Sequence, residues 1–200
     1  MNLTNVEIYN QGSKPFGLSF GEWSVKWWQW LLSIKKSRSP ARDLSGKNAF
    51  LGQTDSKVLF LCQTIEGTRE LPTREISIRS GTSLFLQIIN WISNFYEHGD
   101  SEEELVEIAT TRMSKIGTLD LTLNGNSIRG LEKYRFPSSF FTANLPKHNI
   151  LDLPEGNTRF VSDGYWVFTK PIIADLTIRT FGSCSSGVTK IGVNYFIKVV

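Results

Sequence analysis

Glu97, His98, Asp100, Glu102, Glu103 and Glu104 crowd one short stretch, EHGDSEEE. Carboxylates and an imidazole at that density can hold a divalent cation, and hard oxygen ligands suit calcium or magnesium. The EF-hand spacing D-x-[DN]-x-[DN]-G is missing, and consecutive helical residues project about 100° apart. Glu102, Glu103 and Glu104 therefore cannot all converge on one ion, which leaves Glu97, His98 and Asp100 as the candidate metal ligands. A hydrolase or other metal-dependent enzyme would use this acidic loop around His98 and Asp100. The same residues also fit a plain helix start. Ser101 and Glu104 have capping-box spacing, and acids in a first turn suit the helix dipole.

A second cluster is Asp163-Gly164-Tyr165-Trp166. Asp-Gly favours a tight turn, and the aromatics after it could stack on a sugar ring or fill a core. Asp163, Tyr165 and Trp166 are the candidate ligand-binding residues. Nucleophilic chemistry has less to work with. There are two histidines, His98 and His148, and no G-x-S-x-G elbow. The run around Ser183, Cys184 and Ser185, GSCSSG, reads as a hairpin turn, and no spacing asks for a Cys184–His148 dyad. No motif names a reaction, so the expected function is a binding or structural module for a ligand or protein partner.

Composition narrows the classes further. The chain has 200 residues, 40% hydrophobic and 20% charged, which is ordinary for a globular domain. A net charge of +3 argues against nucleic acid, whose binders concentrate Lys and Arg on one face. The two cysteines, Cys62 and Cys184, have no C-x-x-C spacing and are expected as free thiols. No cofactor is expected beyond a possible calcium-like cation at the acidic loop. No apolar run is long enough for a transmembrane span. The opening residues show no basic-then-apolar signal, which favours a cytoplasmic protein.

Elements must position these residues. Residues 1–17 read as an irregular arm, and 18–200 as a single domain. SFGEWSVKWWQWLLSI reads as a helix with Ser19 as N-cap and Glu22 completing a capping box. Trp23, Trp27, Trp30 and Ile34 fall on one face, widened by Leu31 and flanked by Trp28 and Leu32. That face suits a sheet; with Lys26, Lys35, Lys36 and Arg38 close by, it could instead suit a membrane surface or a partner. Strand patterns follow at Lys57–Ile65, Glu75–Arg79, Ser83–Asn90, Thr118–Leu123, Ser127–Leu131, Gly164–Thr169, Ala174–Phe181 and Val188–Val200. Ser80-Gly81 suggests a hairpin joining the second and third, and Asn124-Gly125 another. Glu102–Lys115 reads as a short amphipathic helix with Gly117 as its C-cap glycine. The expected fold is mainly β: a jelly-roll-like β-sandwich with one Trp-rich N-terminal helix and one short amphipathic helix.

FGEWSVKWWQWLLSI, GTSLFLQIIN and SDGYWVFTKPI together resemble a family of bacterial proteins with no known activity. Its members open with a Trp-rich helix, carry a G-x3-F-x2-IIN strand and end near Asp-Gly-Tyr-Trp. The resemblance implies the same fold, supplies no function, and points to export, since many members look exported.

Overall fold

The computed structural model describes residues 6–64, 71–185 and 190–200. Helix α1, Phe20–Leu32, begins at Ser19, whose hydroxyl accepts from Glu22 N while the Glu22 carboxylate accepts from Ser19 N at 2.7 Å. This reciprocal cap satisfies two of the N–H groups that a helix start leaves unpaired. The indole face then repeats at helical spacing, and Trp23, Trp27, Trp28, Trp30, Leu31 and Leu32 are all buried.

Two sheets form the body. The first orders β1 (Val58–Leu61), β3 (Ser83–Asn94), β7 (Gly156–Phe168) and β6 (Phe141–Leu145) side by side. The second orders β2 (Thr73–Ile78), β9 (Lys190–Val199), β8 (Leu176–Cys184), β4 (Ile116–Leu123) and β5 (Asn126–Ser127). Leu84, Leu86 and Val167 of the first sheet meet Ile78, Leu121, Ile178 and Val193 of the second, so the two make a β-sandwich. Helix α1 packs on the other face of the first sheet, where Phe20, Trp23 and Trp27 meet Phe85, Trp166 and Phe168. That sheet is thus covered on both sides, and β3 and β7 are buried almost without alternation. The second sheet is covered on one side, and β2 alternates exposed with buried. Helix α2, Glu102–Ser114, buries Leu105, Ala109 and Met113.

The expected hairpin between Glu75–Arg79 and Ser83–Asn90 does not form. β2 pairs in parallel with β9, whereas β3 pairs with β1 and β7, so the Gly81 turn carries the chain from one sheet to the other. The physical reason is burial: an alternating strand and a continuously apolar one belong to sheets with different cover. Helix α2 is capped at Lys115, and Gly117 lies inside β4 rather than at a helix end. The strand expected after Asn124-Gly125 shrinks to Asn126–Ser127, because Leu131 turns into a short 3-10 segment. Residue 65 and residues 188–189, at the ends of two expected strands, lie outside the described residues. From residue 6 on, the N-terminal stretch lies against the first sheet, with Ile8 bridging Thr169 and Tyr9 N donating to Phe168 O, and Pro15–Gly17 form a short 3-10 turn.

Candidate functional site

β1 is four residues long and β3 twelve, and their register ends at Leu61 opposite Leu86. Side chains close the fork. The Trp27 indole donates to Leu61 O at 2.9 Å, taking the last carbonyl of β1. The Gln87 carboxamide, oriented to satisfy both its ends, donates to Leu61 O and accepts from Gln63 N, each at 3.2 Å. Gln63 Nε2 in turn donates to Gln87 O (3.1 Å), Ile88 O (2.8 Å) and Thr180 Oγ1 of β8 (2.6 Å). Two glutamine amides thus replace the next rungs of the ladder, at the point where β3 carries a bulge between Gln87 and Ile89.

A cavity of about 380 Å³ opens beside β3 beyond this fork. Its wall includes Trp27, Trp28 and Leu31 of α1, Ala41, Gln63 and Thr64, then Gln87, Asn90, Trp91, Ile92 and Asn94 of β3. Ile92 belongs to the helix-side core, whereas Trp91 packs against the inter-sheet core, so residues of both faces of β3 line one space. Such a space runs along a strand's edge. Its volume falls in the range of small-molecule sites.

Among the described residues, four polar atoms of side chains around this cavity have almost no exposed surface and no hydrogen-bond partner: Trp28 Nε1, Gln63 Oε1, Asn90 Nδ2 and Trp91 Nε1. Buried polar groups are nearly always paired, and an unmet one costs about 1–3 kcal/mol. A second cavity, beside Trp23, Trp30 and Phe60, makes the contrast. There Trp23 Nε1 donates to Pro15 O, Trp30 Nε1 to Leu51 O, and Gln53 is bonded at both ends of its amide. Those two indoles and that amide are satisfied by the chain itself.

The rim of the first cavity is the turn after β3. Asn94 Oδ1 accepts from Tyr96 N and Glu97 N, and Asn94 Nδ2 donates to Glu97 Oε2 at 3.1 Å. His98 Nδ1 accepts from Asn94 N at 3.3 Å, and its ring meets Trp91 edge-on at 5.6 Å. Arg112 of α2 stacks over Trp91 at 4.6 Å. Glu97 and His98 therefore line the cavity. Asp100, by contrast, is at the start of α2, where its N–H donates to Glu104 Oε2 at 2.8 Å. Among the described residues, no three His, Cys, Asp or Glu side chains gather closely enough to hold a metal ion.

The other expected trio is placed in the core. Trp166 is fully buried, stacked on Phe85 at 5.2 Å and 4°. Tyr165 is buried on the inter-sheet side. Asp163 is buried in an ion pair with Arg135 at 2.7 Å, and Arg135 also donates to Thr110 O of α2. None of the three lines the cavity beside β3. Gln63, Gln87 and Asn90 were not singled out from the sequence. Their signal was present: a carboxamide inside each of the apolar strand runs LFLCQT and LFLQIIN.

Fold and site together define a helix-backed β-sandwich with a sheltered cavity walled by indoles and amides. No family model and no curated protein matches the chain. The solved structure of PbICP-C in complex with falcipain-2 is similar to it, at 13% identity over 72% of this chain and 99% of that one, with a TM-score of 0.30. A likeness that weak carries no argument about this chain.

Proposed function

We propose that this chain is a binding module whose ligand occupies the cavity beside β3. The observation that carries the reading is the cavity itself, about 380 Å³ and walled by Trp27, Trp28 and Trp91 with the carboxamides of Gln63, Gln87 and Asn90 among them. Small-molecule sites are mostly apolar and aromatic clefts of this size with a few polar groups among them. Binding is favoured over hydrolysis because the wall is mostly aliphatic, indole and carboxamide, with Glu97 and His98 its titratable side chains. His98 Nδ1 is already engaged by a backbone N–H, which holds it as a structural acceptor.

The test is a thermal-shift screen of small organic probes against the wild type and Ala41→Leu, which adds bulk to the wall. A probe that binds only the native state raises Tm by mass action, and Ala41→Leu should remove the rise. If Ala41→Leu leaves the rise intact, the ligand lies elsewhere. If no probe shifts the wild type, the reading fails.

A further inference from the structure

Building on the cavity as a ligand site, we infer that it takes an uncharged, mainly hydrocarbon ligand of bicyclic size. The wall's polar side chains are largely spent on the fold. Trp27 Nε1 donates to Leu61 O, and Gln63 Nε2 to Gln87 O, Ile88 O and Thr180 Oγ1. Gln87 is bonded at both ends of its amide, and so is Asn94. The unpartnered atoms of Trp28, Gln63, Asn90 and Trp91 have almost no exposed surface, so they offer a ligand nothing. What remains for contact is largely indole and branched aliphatic surface, from Trp28, Trp91, Leu31, Leu151, Ile92 and Ile191. A firmly held water needs about two to four polar partners. Water in this space is therefore poorly held, and an apolar body that displaces it gains affinity.

Charge excludes the ionic classes. Among the described residues no Lys or Arg lines the cavity, so an anion would lose its water with no counter-charge in return. Glu97 is the one carboxylate among those lining residues, and a cation gains little from it. Its side chain is on the exposed turn at the rim and already accepts from Asn94 Nδ2. Volume then sets the size. An apolar cavity of about 150 Å³ holds one benzene. At about 380 Å³ this one has more than twice that room, enough for two fused rings.

Equilibrium dialysis and thermal melts followed by circular dichroism test this with a matched series. The neutral bicyclic probe is 2-naphthalenemethanol. Its counterparts 2-naphthoate and 2-naphthylmethylammonium carry the same rings with a negative or a positive charge. Benzyl alcohol has a single ring, and glucose is neutral but polar. The bicyclic alcohol should raise Tm and bind at least about tenfold more tightly than each of the other four. Ala41→Leu and Leu151→Trp fill the space from different segments of the wall, and each should weaken the bicyclic alcohol at least about tenfold. Leu151 is only half-buried, so a larger ring there is accommodated even if Ala41→Leu fails to fold. A charged counterpart or glucose that binds as tightly, and is blocked by the same variants, would overturn the apolar class and leave the cavity standing as a site. Benzyl alcohol binding as tightly would overturn the bicyclic size in the same way. Binding of the alcohol that both variants leave intact would place it elsewhere and overturn the inference. If none of the five compounds raises Tm, the cavity itself is not a binding site and both readings fall.

Discussion

Cys62 lies directly under the guanidinium of Arg74, at the point where β1 ends. Arg74 donates to Asp43 O, Cys62 O and Tyr195 OH, and Tyr195 OH donates to Cys62 O at 2.8 Å. Burial pushes the Cys62 thiol up to about 11, and the nearby Arg74 cation only partly opposes it. At pH 8 about one molecule in a thousand would carry the thiolate, the reactive form. In the native protein Cys62 should therefore resist a disulfide reagent and react only after denaturation, when two free thiols appear. Rapid native labelling of Cys62, located by peptide mapping, would show that the end of β1 opens. The acidic loop makes a second expectation at this scale. Glu97 is held by Asn94, His98 Nδ1 by a backbone N–H, and Asp100 is outside the cavity wall, its N–H taken up by the α2 cap. Millimolar calcium or EDTA should leave Tm unchanged. A calcium-dependent rise of several degrees that Asp100→Ala removes would restore the metal site.

The two helices are each held at the start by a Ser–Glu box, and both glutamates answer to pH. Hydrogen bonds from the Ser19 hydroxyl and N–H lower the Glu22 carboxyl from its usual range; those from the Asp100 and Ser101 N–H groups lower Glu104. A depressed folded value means the stabilisation is complete above the unfolded carboxyl pKa of about 4.3 and is lost as pH falls through the folded value. Ser19→Ala and Ser101→Ala should each cost about 1 kcal/mol near neutral pH. The gap from wild type should narrow in melts taken below about pH 4; a constant gap down to pH 2.5 would separate the caps from ionisation. These caps were legible in sequence because their chemistry is local, confined to residues three apart. The indole face was legible for the same reason, through its 3.6-residue period. The β2–β3 hairpin was misplaced because a turn signal says where the chain bends and not which sheet receives it. The contrast between alternating EISIR and continuous SLFLQII held the answer. The cavity was not legible, since Gln63, Asn90 and Trp28 come together only through pairings far apart in sequence.

At the scale of the whole molecule, β3 is the strand on which everything converges, and glycines let its neighbours close in. A Cβ at Gly182 of β8 would meet Ile88 O at 2.6 Å and Ile89 Cβ at 2.8 Å; one at Gly164 of β7 would meet Asn90 Cβ at 2.5 Å. The second sheet therefore touches the first at the bulge, and Gln63 ties the same point to Thr180. The bulge lets Ile88 and Ile89 both join the inter-sheet core while Asn90 and Ile92 turn to the helix side. Regular alternation through this point would instead turn Asn90 into the apolar space between the sheets. The cavity is thus a consequence of how the sandwich is pinched, and loosening the pinch should be felt in both stability and site. Gly182→Ala must push β8 from β3 and should cost about 1–3 kcal/mol in a denaturant melt, as overpacking does in a filled core. It should also weaken any probe that binds the cavity, because Gln63 moves with the Thr180 contact. Ala tolerated at 182 within about 0.5 kcal/mol, with probe binding intact, would mean that the sheets part there at no cost and that the fork of β1 and β3 holds the site by itself.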